Sequence, residues 1–242
     1  MTTVITTDDP RADAAVKAIH TGDLPALRQL LADHPELATA ALGTIGEGGM
    51  TRTLLHVVTD WPGHYPRGPE TVALLVRAGA DINARFTGPH NETPLHWAAS
   101  NDDVAVLDAL LDHGADIEAD GAVIGGGTAL DDAVAFAQWN TARRLTERGA
   151  HVSLFNAAGL GLLDKVQEYT RAGAERDDIT GAFWAACHGG QRATAEHLLA
   201  AGADRNRPAP WDGTTPLEAA GRNGFHDQAQ WLTTVGCTAR HG

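Results

Sequence analysis

The sequence contains few of the residues on which small secreted and metal-binding proteins depend. Its 242 residues include two cysteines, Cys187 and Cys237, and neither belongs to a C-x-x-C or other metal-ligand spacing. A disulfide framework is therefore excluded, and no metal site is predicted. Aromatic residues make up only 5% of the chain, whereas hydrophobic residues make up 43%. Abundant Ala and Leu with so few aromatic residues favour closely packed helices over a β-sandwich.

Long hydrophobic runs and basic charge are also scarce. The chain has no run of about 18 apolar residues, and its start lacks a basic segment followed by an apolar one. Acidic residues exceed basic residues by 31 to 18, for a net charge of −13. A surface of that sign repels nucleic-acid phosphates and anionic lipid headgroups, so we expect neither nucleic acid nor membrane as a partner. We expect a cytoplasmic protein.

The motifs of common catalytic classes are missing as well. The sequence contains no G-x-S-x-G, no Walker A loop, no H-E-x-x-H and no G-x-G-x-x-G between a strand and a helix. The run Gly125–Gly127 has no strand before it and no Lys after it, so it does not predict a phosphate loop. No cofactor is expected.

The sequence does contain an internal repeat. Three T-x-L segments begin at Thr93, Thr128 and Thr215, and each precedes a Gly by 21 residues. This period is typical of stacked helical units, each of which buries its apolar face only against its neighbours. The glycines belong to G-A-D or related tripeptides spaced 24 to 35 residues apart, at Gly79, Gly114, Gly149, Gly173, Gly202 and Gly236.

These motifs, T-P-L-H-W-A-A from Thr93 and G-A-D-I-N-A from Gly79, resemble the ankyrin repeat. The resemblance implies an all-α solenoid of about seven helix-turn-helix repeats with β-hairpin-like finger loops. It also implies a partner protein. Arg outnumbers Lys 16 to 2, which is typical of a GC-rich genome and favours a bacterial source.

On this resemblance the whole chain, 1–242, is a single repeat domain. It comprises an N-terminal capping repeat at 1–44, internal repeats at 45–210 and a C-terminal capping repeat at 211–242. The first helices of the later repeats are expected near Thr53, Thr93, Thr128, Val152, Gly181 and Thr215.

Residues 59–70 interrupt the pattern with an insertion of three prolines and two glycines. Proline cannot continue a helix, so the helix before the insertion must end near Asp60 and a rigid loop must follow. In an ankyrin-like stack, this loop presents Trp61, His64 and Tyr65 on the concave side. The alternative is a longer connection whose Trp61 packs on a neighbouring repeat.

Unequal finger loops are a second departure. The turns 84–93 and 119–128 are each two residues longer than usual, whereas almost no turn separates Gly149 from Val152. Two long fingers beside a short one predict a pocket near repeats two to five. A degenerate repeat would produce the same pattern.

Acidic and imidazole side chains supply the candidates for chemistry. If Asp60, Asp102 and Asp132 share one pocket, their repulsion raises at least one pKa and provides a general acid or base. His56 and His96 occupy the T-P-L-H position, where the imidazole is expected to bridge neighbouring turns, so they are assigned a structural role.

Two functions follow from these observations. The first is a binding module that recognises a partner protein through its concave face and finger loops. The alternative is a small-molecule-binding protein or a cofactor-independent acid/base enzyme (isomerase, lyase or hydrolase), with His64, Asp102, Asp132 and His188 as catalytic residues. The chain is expected to be a monomer or a dimer. Predicted ligand or partner contacts are Asp60, Trp61, Tyr65, Arg85, Phe86, His90, Trp97, Ser100, Asn101, Phe136 and Arg222.

Overall fold

Fourteen α-helices follow one another along residues 3–44 and 49–240, the part of the chain that this computed structural model describes. The chain divides into an N-terminal unit, residues 1–133, and a C-terminal unit, residues 134–242. Within the described residues, no helix is both long and apolar enough to cross a membrane. The predicted fold class, an all-α succession of helix-turn-helix repeats, is confirmed. The single domain with capping repeats stays a prediction, and part of its boundary near residue 45 lies outside the described residues.

The N-terminal unit consists mainly of short helices joined in antiparallel pairs. In this unit α1 packs on α2, α3 on α4 and α5 on α6, and first helices of neighbouring pairs also contact each other, α1 with α3 and α3 with α5. The helices are α1 Pro10–Thr21, α2 Leu24–Asp33, α3 Leu54–Val58, α4 Gly68–Arg77, α5 Pro94–Ser100, α6 Val104–Asp112 and α7 Ala129–Ala135, whose last two residues belong to the C-terminal unit.

The C-terminal unit repeats this arrangement. Helix α9 packs on α10, α11 on α12 and α13 on α14, and α11 lies against both α9 and α13. Its core consists largely of Ala and Leu side chains, which allow the helices to approach closely. The helices are α8 Trp139–Glu147, α9 Leu154–Gly159, α10 Leu163–Arg171, α11 Arg176–His188, α12 Arg192–Ala200, α13 Pro216–Arg222 and α14 His226–Thr234.

The repeat markers lie where the chain enters and leaves helices. Thr93 and Thr215 are N-cap residues in extended conformation, and Pro follows each of them in the first turn. The six glycines that define the repeat all have φ between 86° and 98°, a range that other residues rarely adopt. The register predicted from the sequence is therefore confirmed at these positions.

The histidine three residues after the capping Thr links consecutive repeats. The Thr93 backbone N–H donates to His96 Nδ1 (3.2 Å), and His96 Nε2 donates to the Gly127 carbonyl (3.4 Å). His56 does the same with Thr53 (3.2 Å) and the Glu92 carbonyl (3.2 Å). Burial lowers the pKa of His56 and of His96 to about 4, which keeps each ring neutral. The predicted structural role of these two histidines is confirmed.

A different residue type performs this function in the C-terminal unit. Trp184 occupies the histidine position of its repeat, and its indole Nε1 donates to the Thr214 carbonyl at 3.0 Å. As with Glu92 and Gly127, the accepting carbonyl belongs to the residue directly before the first-helix cap of the next repeat. The bridge between repeats is therefore kept although the side chain differs.

Two local features differ from the sequence expectations. Helix α11 begins at Arg176 rather than near Gly181, so one extra helical turn replaces the finger loop of this repeat. A small sheet, which the sequence analysis did not predict, joins β1 Val4–Thr6, β2 Ala41–Gly43 and β3 Thr51–Arg52. Strand β2 pairs parallel with β1 and antiparallel with β3.

The bridging histidines predict a specific loss of stability. Replacing His96 with Ala leaves the Thr93 N–H and the Gly127 carbonyl without their partner and opens a cavity. We expect the free energy of unfolding, measured by urea denaturation at pH 7.5, to fall by about 2 to 4 kcal/mol. The control His90→Ala, at an exposed position, should change it by less than about 0.5 kcal/mol. Equal effects of the two substitutions would contradict the bridging role.

Candidate functional site

The insertion between α3 and α4 is a loop held at several points by hydrogen bonds. Helix α3 ends at Val58, close to the predicted end near Asp60. The His64 backbone N–H donates to Asp103 Oδ2 (2.9 Å), and His64 Nε2 donates to the Asn101 carbonyl (2.9 Å). The Asn101 side-chain amide donates in turn to the Thr59 carbonyl (2.7 Å). The loop is therefore fixed to the connection between α5 and α6.

An aromatic stack holds the other side of this loop. Tyr65 stacks on His20, with ring centroids 4.2 Å apart and an angle of 16° between the planes. The Tyr65 hydroxyl donates to the Trp61 carbonyl at 3.4 Å. Burial lowers the pKa of His20, so the imidazole stacks as a neutral ring. Contacts from the helix pair α1–α2 and from α5–α6 thus converge on the same loop.

Trp61 is the most exposed large apolar side chain of the described residues, at 81%. Its backbone N–H donates to Asp60 Oδ1 (3.0 Å), and Asp60 also forms an ion pair with Arg52. The Gly63 N–H donates to the Asp60 carbonyl (2.6 Å), which closes the turn that contains Trp61. Of the two readings of Trp61, the structure favours presentation to solvent over packing on a neighbouring repeat.

The long finger at 84–93 brings two other predicted residues together. Phe86 and Trp97 have ring centroids 5.4 Å apart, and Trp97 meets the buried His56 ring edge-on at 5.0 Å. Arg85 forms an ion pair with Asp120 of the second long finger (3.0 Å) and donates to the Asn91 carbonyl (2.9 Å). The two long fingers therefore contact each other.

Asp132 is a fully buried carboxyl group. Its two oxygens accept the Val123 N–H (3.3 Å) and the Ile124 N–H (3.2 Å), so the side chain holds the second long finger. Burial raises the pKa of Asp132 to about 7, and the nearby Glu92 carboxyl adds to the shift. This group therefore holds a proton up to neutral pH, but the cause is burial and not the repulsion by Asp60 and Asp102 that the sequence analysis invoked.

His188 is the fourth residue of the predicted acid/base set and lies in the C-terminal unit. It is buried against Trp184, with ring centroids 4.6 Å apart and an angle of 18° between the planes, and the Asn223 amide donates to its carbonyl (2.8 Å). Burial lowers the pKa of His188 to about 4. The nearby Arg222 forms an ion pair with Asp212 (2.8 Å).

The remaining predicted residues are not part of these clusters. His90 is exposed, and 40% of Phe136 is exposed. Asp102 is half-buried with a left-handed backbone (φ 56°), and the Ser100 hydroxyl is buried without a hydrogen-bond partner. Within the described residues, no group of three His, Cys, Asp or Glu side chains is arranged to hold a metal ion.

The sequence analysis missed three residues that organise the insertion loop. Arg52 pairs with Asp60, His20 stacks on Tyr65, and Asp103 accepts the His64 N–H. Asp103 also caps α6 by accepting the Val106 N–H (3.1 Å). An Asp just before an apolar run is a recognisable cap signal. The contacts of Arg52 and His20 leave no such signal, because they depend on how distant segments pack.

Comparisons with known proteins agree with the repeat architecture. A family model described as ankyrin repeats (3 copies) matches residues 65–156. The human ASB11 ankyrin repeat domain is similar in structure, with 19% identity, a TM-score of 0.52 and coverage of 90% of this chain and 96% of that one. The ankyrin repeat domain of Bcl-3, a member of the IkappaB protein family, has 26% identity, a TM-score of 0.51 and coverage of 90% and 97%. No curated protein matches the sequence.

The buried Asp132 predicts a pH dependence of stability. Its pKa is about 7 in the folded chain and 3.8 in an ordinary environment, so its contribution to stability is full below pH 3.8 and is lost as the pH rises through 7. Relative to wild type, Asp132→Asn should therefore gain more than about 2 kcal/mol of unfolding free energy between pH 4 and pH 8. Urea denaturation at each pH measures this difference.

The exposed Asp227→Asn variant gives the baseline for removing one surface charge. If the difference between Asp132→Asn and wild type stays constant from pH 4 to pH 8, the proposed protonation of Asp132 is wrong.

Proposed function

The chain is an ankyrin-repeat protein, and from this premise we propose that it binds a basic partner protein through the insertion loop of its N-terminal unit. Ankyrin repeats are typically protein-interaction modules. The observation that carries the proposal is the exposure of Trp61 on a loop whose backbone is held in place by its neighbours.

Exposure of a tryptophan ring to water is unfavourable in free energy, whereas its burial in an interface is favourable. Its large ring gains free energy when a partner covers it, and tryptophan is enriched among the residues that dominate binding energy. Within the described residues, the other large apolar side chains with substantial exposure are Met50 at 54% and Phe136 at 40%. Trp61 at 81% is therefore the strongest candidate for an anchor.

The hydrogen bonds around the loop support this role because they reduce the conformational entropy that the loop loses on binding. Binding normally costs free energy for ordering the loops and side chains at the interface. Here the His64 contacts, the Asn101 amide and the Tyr65 stack already fix the backbone that carries the indole. The entropic cost of ordering this loop when a partner binds is therefore smaller than for a mobile loop.

The charge distribution supports a basic partner. Residues 1–133 contain 20 acidic and 7 basic residues, whereas residues 134–242 contain 11 of each. The N-terminal unit therefore carries the whole net charge of −13. A basic surface is attracted to it, which accelerates association and makes binding weaker at high salt.

Substitution of Trp61 tests the proposal. We expect Trp61→Ala to lose at least about 30-fold in affinity for proteins that the wild-type chain captures at low salt, because a buried aromatic anchor contributes about 2 kcal/mol or more. Trp61→Phe should retain part of the affinity. The measurements are affinity capture followed by titration of the captured protein at 50 and 300 mM salt.

Phe136→Ala is the matched control, since it removes an exposed ring from the unit without net charge, and it should bind as wild type does. Melting temperatures verify that all variants fold. Retention of the same proteins by folded Trp61→Ala and wild type would refute the proposal, as would affinity that does not change with salt.

A further inference from the structure

The C-terminal unit contains two adjoining cavities that none of the predicted site residues lines. The larger has a volume of about 630 Å³ and the smaller about 170 Å³. They share Phe155, Asp177 and Gly181. Loss of finger loops accounts for their position, since α9 follows Gly149 closely and α11 follows Gly173 after only two residues. Where fingers are absent, the space beside the first helices stays open.

Three aromatic rings line the smaller cavity. Phe155 and Trp184 are nearly parallel, with 7° between their planes and 6.4 Å between their centroids. Trp211 is perpendicular to both, at 4.9 Å from Trp184 and 6.1 Å from Phe155. The three rings pack against one another and form one aromatic wall of the cavity, in which Trp184 is 2% exposed and Phe155 and Trp211 are more accessible. We call Phe155, Trp184 and Trp211 the aromatic box below.

The loop that carries Trp211 is fixed against α11. The Asp204 N–H donates to the Thr180 hydroxyl (3.1 Å), and the Trp184 indole donates to the Thr214 carbonyl (3.0 Å). Within the loop, the Ala209 N–H donates to the Thr214 carbonyl at 2.8 Å. Trp211 is thus held in position by hydrogen bonds at both ends of its loop.

The size of the smaller cavity limits what it can hold. Pockets for drug-sized ligands have volumes of about 300 to 1,000 Å³. A cavity of about 170 Å³ accommodates the head of one side chain rather than a whole metabolite. The larger cavity next to it has room for the residues that flank this side chain.

The charges indicate a cationic side chain. Asp177 lines both cavities, and Glu175 and Asp178 line the larger one. Aromatic faces attract cations, and a cluster of such rings is the usual site for methylated ammonium groups. The side chains of Phe155, Trp184 and Trp211 offer no hydrogen-bond acceptor to a cation, so the box favours one that donates few hydrogen bonds. Methylation removes the N–H donors of the lysine ammonium group and lowers the free-energy cost of its desolvation.

Arg207 pairs with Asp177 and also lines the smaller cavity. Its guanidinium neutralises the carboxylate nearest to the aromatic box. An incoming cation therefore competes with Arg207 for Asp177, which gives the two residues opposite effects on binding.

We propose that the aromatic box binds the methylated ammonium group of a lysine side chain in a peptide whose basic flanking residues lie along the larger, acidic cavity. This site is in the C-terminal unit and is independent of the partner surface proposed around Trp61. It takes a cation through aromatic faces and carboxylates, with no metal or cofactor required.

The test is titration of the full chain, by isothermal calorimetry, with three short basic peptides. They carry trimethyllysine, lysine or the neutral tert-butyl analogue of trimethyllysine at one position. We expect the trimethyllysine peptide to bind at least about tenfold more tightly than the other two. Equal binding of the tert-butyl analogue overturns the claim of cation recognition, and equal binding of the lysine peptide overturns the claim of methyl recognition. Absence of binding by all three overturns the site.

Free tetramethylammonium distinguishes a peptide from a small-molecule ligand. We expect it to compete only at concentrations at least about 100-fold above those of the trimethyllysine peptide, because it lacks the flanking contacts with the larger cavity. If it binds as tightly as the peptide, the ligand is a small quaternary ammonium compound and the peptide proposal is wrong.

Variants locate the binding. Trp211→Ala and Asp177→Asn should each weaken binding of the trimethyllysine peptide about tenfold, whereas Arg207→Gln should strengthen it. Trp231→Ala removes a tryptophan outside the cavity, where it packs under Arg192, and should bind as wild type does. Trp61→Ala should also leave this affinity unchanged, which separates this site from the proposed partner surface. Weaker binding by Arg207→Gln, or unchanged binding by folded Trp211→Ala, would place the peptide elsewhere.

Discussion

A single helix pair in this protein cannot bury its own apolar face, and the rest of the structure depends on the contact between one pair and the next. Apolar packing between first helices supplies most of this contact, since α11 lies against both α9 and α13. A hydrogen bond between the repeats, which is directional, also fixes their register. His56 and His96, each the third residue of a first helix, and Trp184, within α11, all donate to the carbonyl just before the next first helix. Wherever this bond forms, neighbouring repeats are held at a defined height relative to each other.

The repeat framework also explains where variation is tolerated. Loops between repeats are free to lengthen, shorten or disappear, provided that the first helices keep their contact. The insertion after α3 gained an exposed tryptophan, whereas the repeat of α11 lost its finger and gained one helical turn. The first change adds a projecting side chain and the second leaves an open space lined by aromatic rings. One candidate site thus arises where a loop of the repeat is lengthened, and the other arises where a loop is lost.

The sequence predicted the framework well because its signals are local. Thr at a helix start and Gly in a left-handed position act within a few residues, so spacing identified them, whereas the bridging histidines were expected from the ankyrin resemblance. The insertion was predicted for the same reason, from its prolines. The extra turn of α11 was missed because Arg176–Thr180 contains no helix-breaking residue that marks a boundary. The three-residue strands β1 and β2 are too short to show alternation.

Contacts between distant segments were not predictable in the same way. The pairing of Arg52 with Asp60 and the stacking of His20 on Tyr65 depend on packing that no short pattern encodes. Asp102 was a predicted acid or base, yet its neighbour Asp103 makes the contact with the insertion loop.

The replacement of histidine by tryptophan in one bridge has a consequence for behaviour in acidic surroundings. His56 and His96 accept a backbone N–H at Nδ1, and a proton added to that nitrogen abolishes the bond. The indole of Trp184 has no basic nitrogen, so its bond to the Thr214 carbonyl survives any acidity at which the chain stays folded. The Trp184–Thr214 bond is therefore insensitive to acid even though the buried His188 of the same helix titrates, whereas the His56 and His96 bonds are lost when those rings take up a proton.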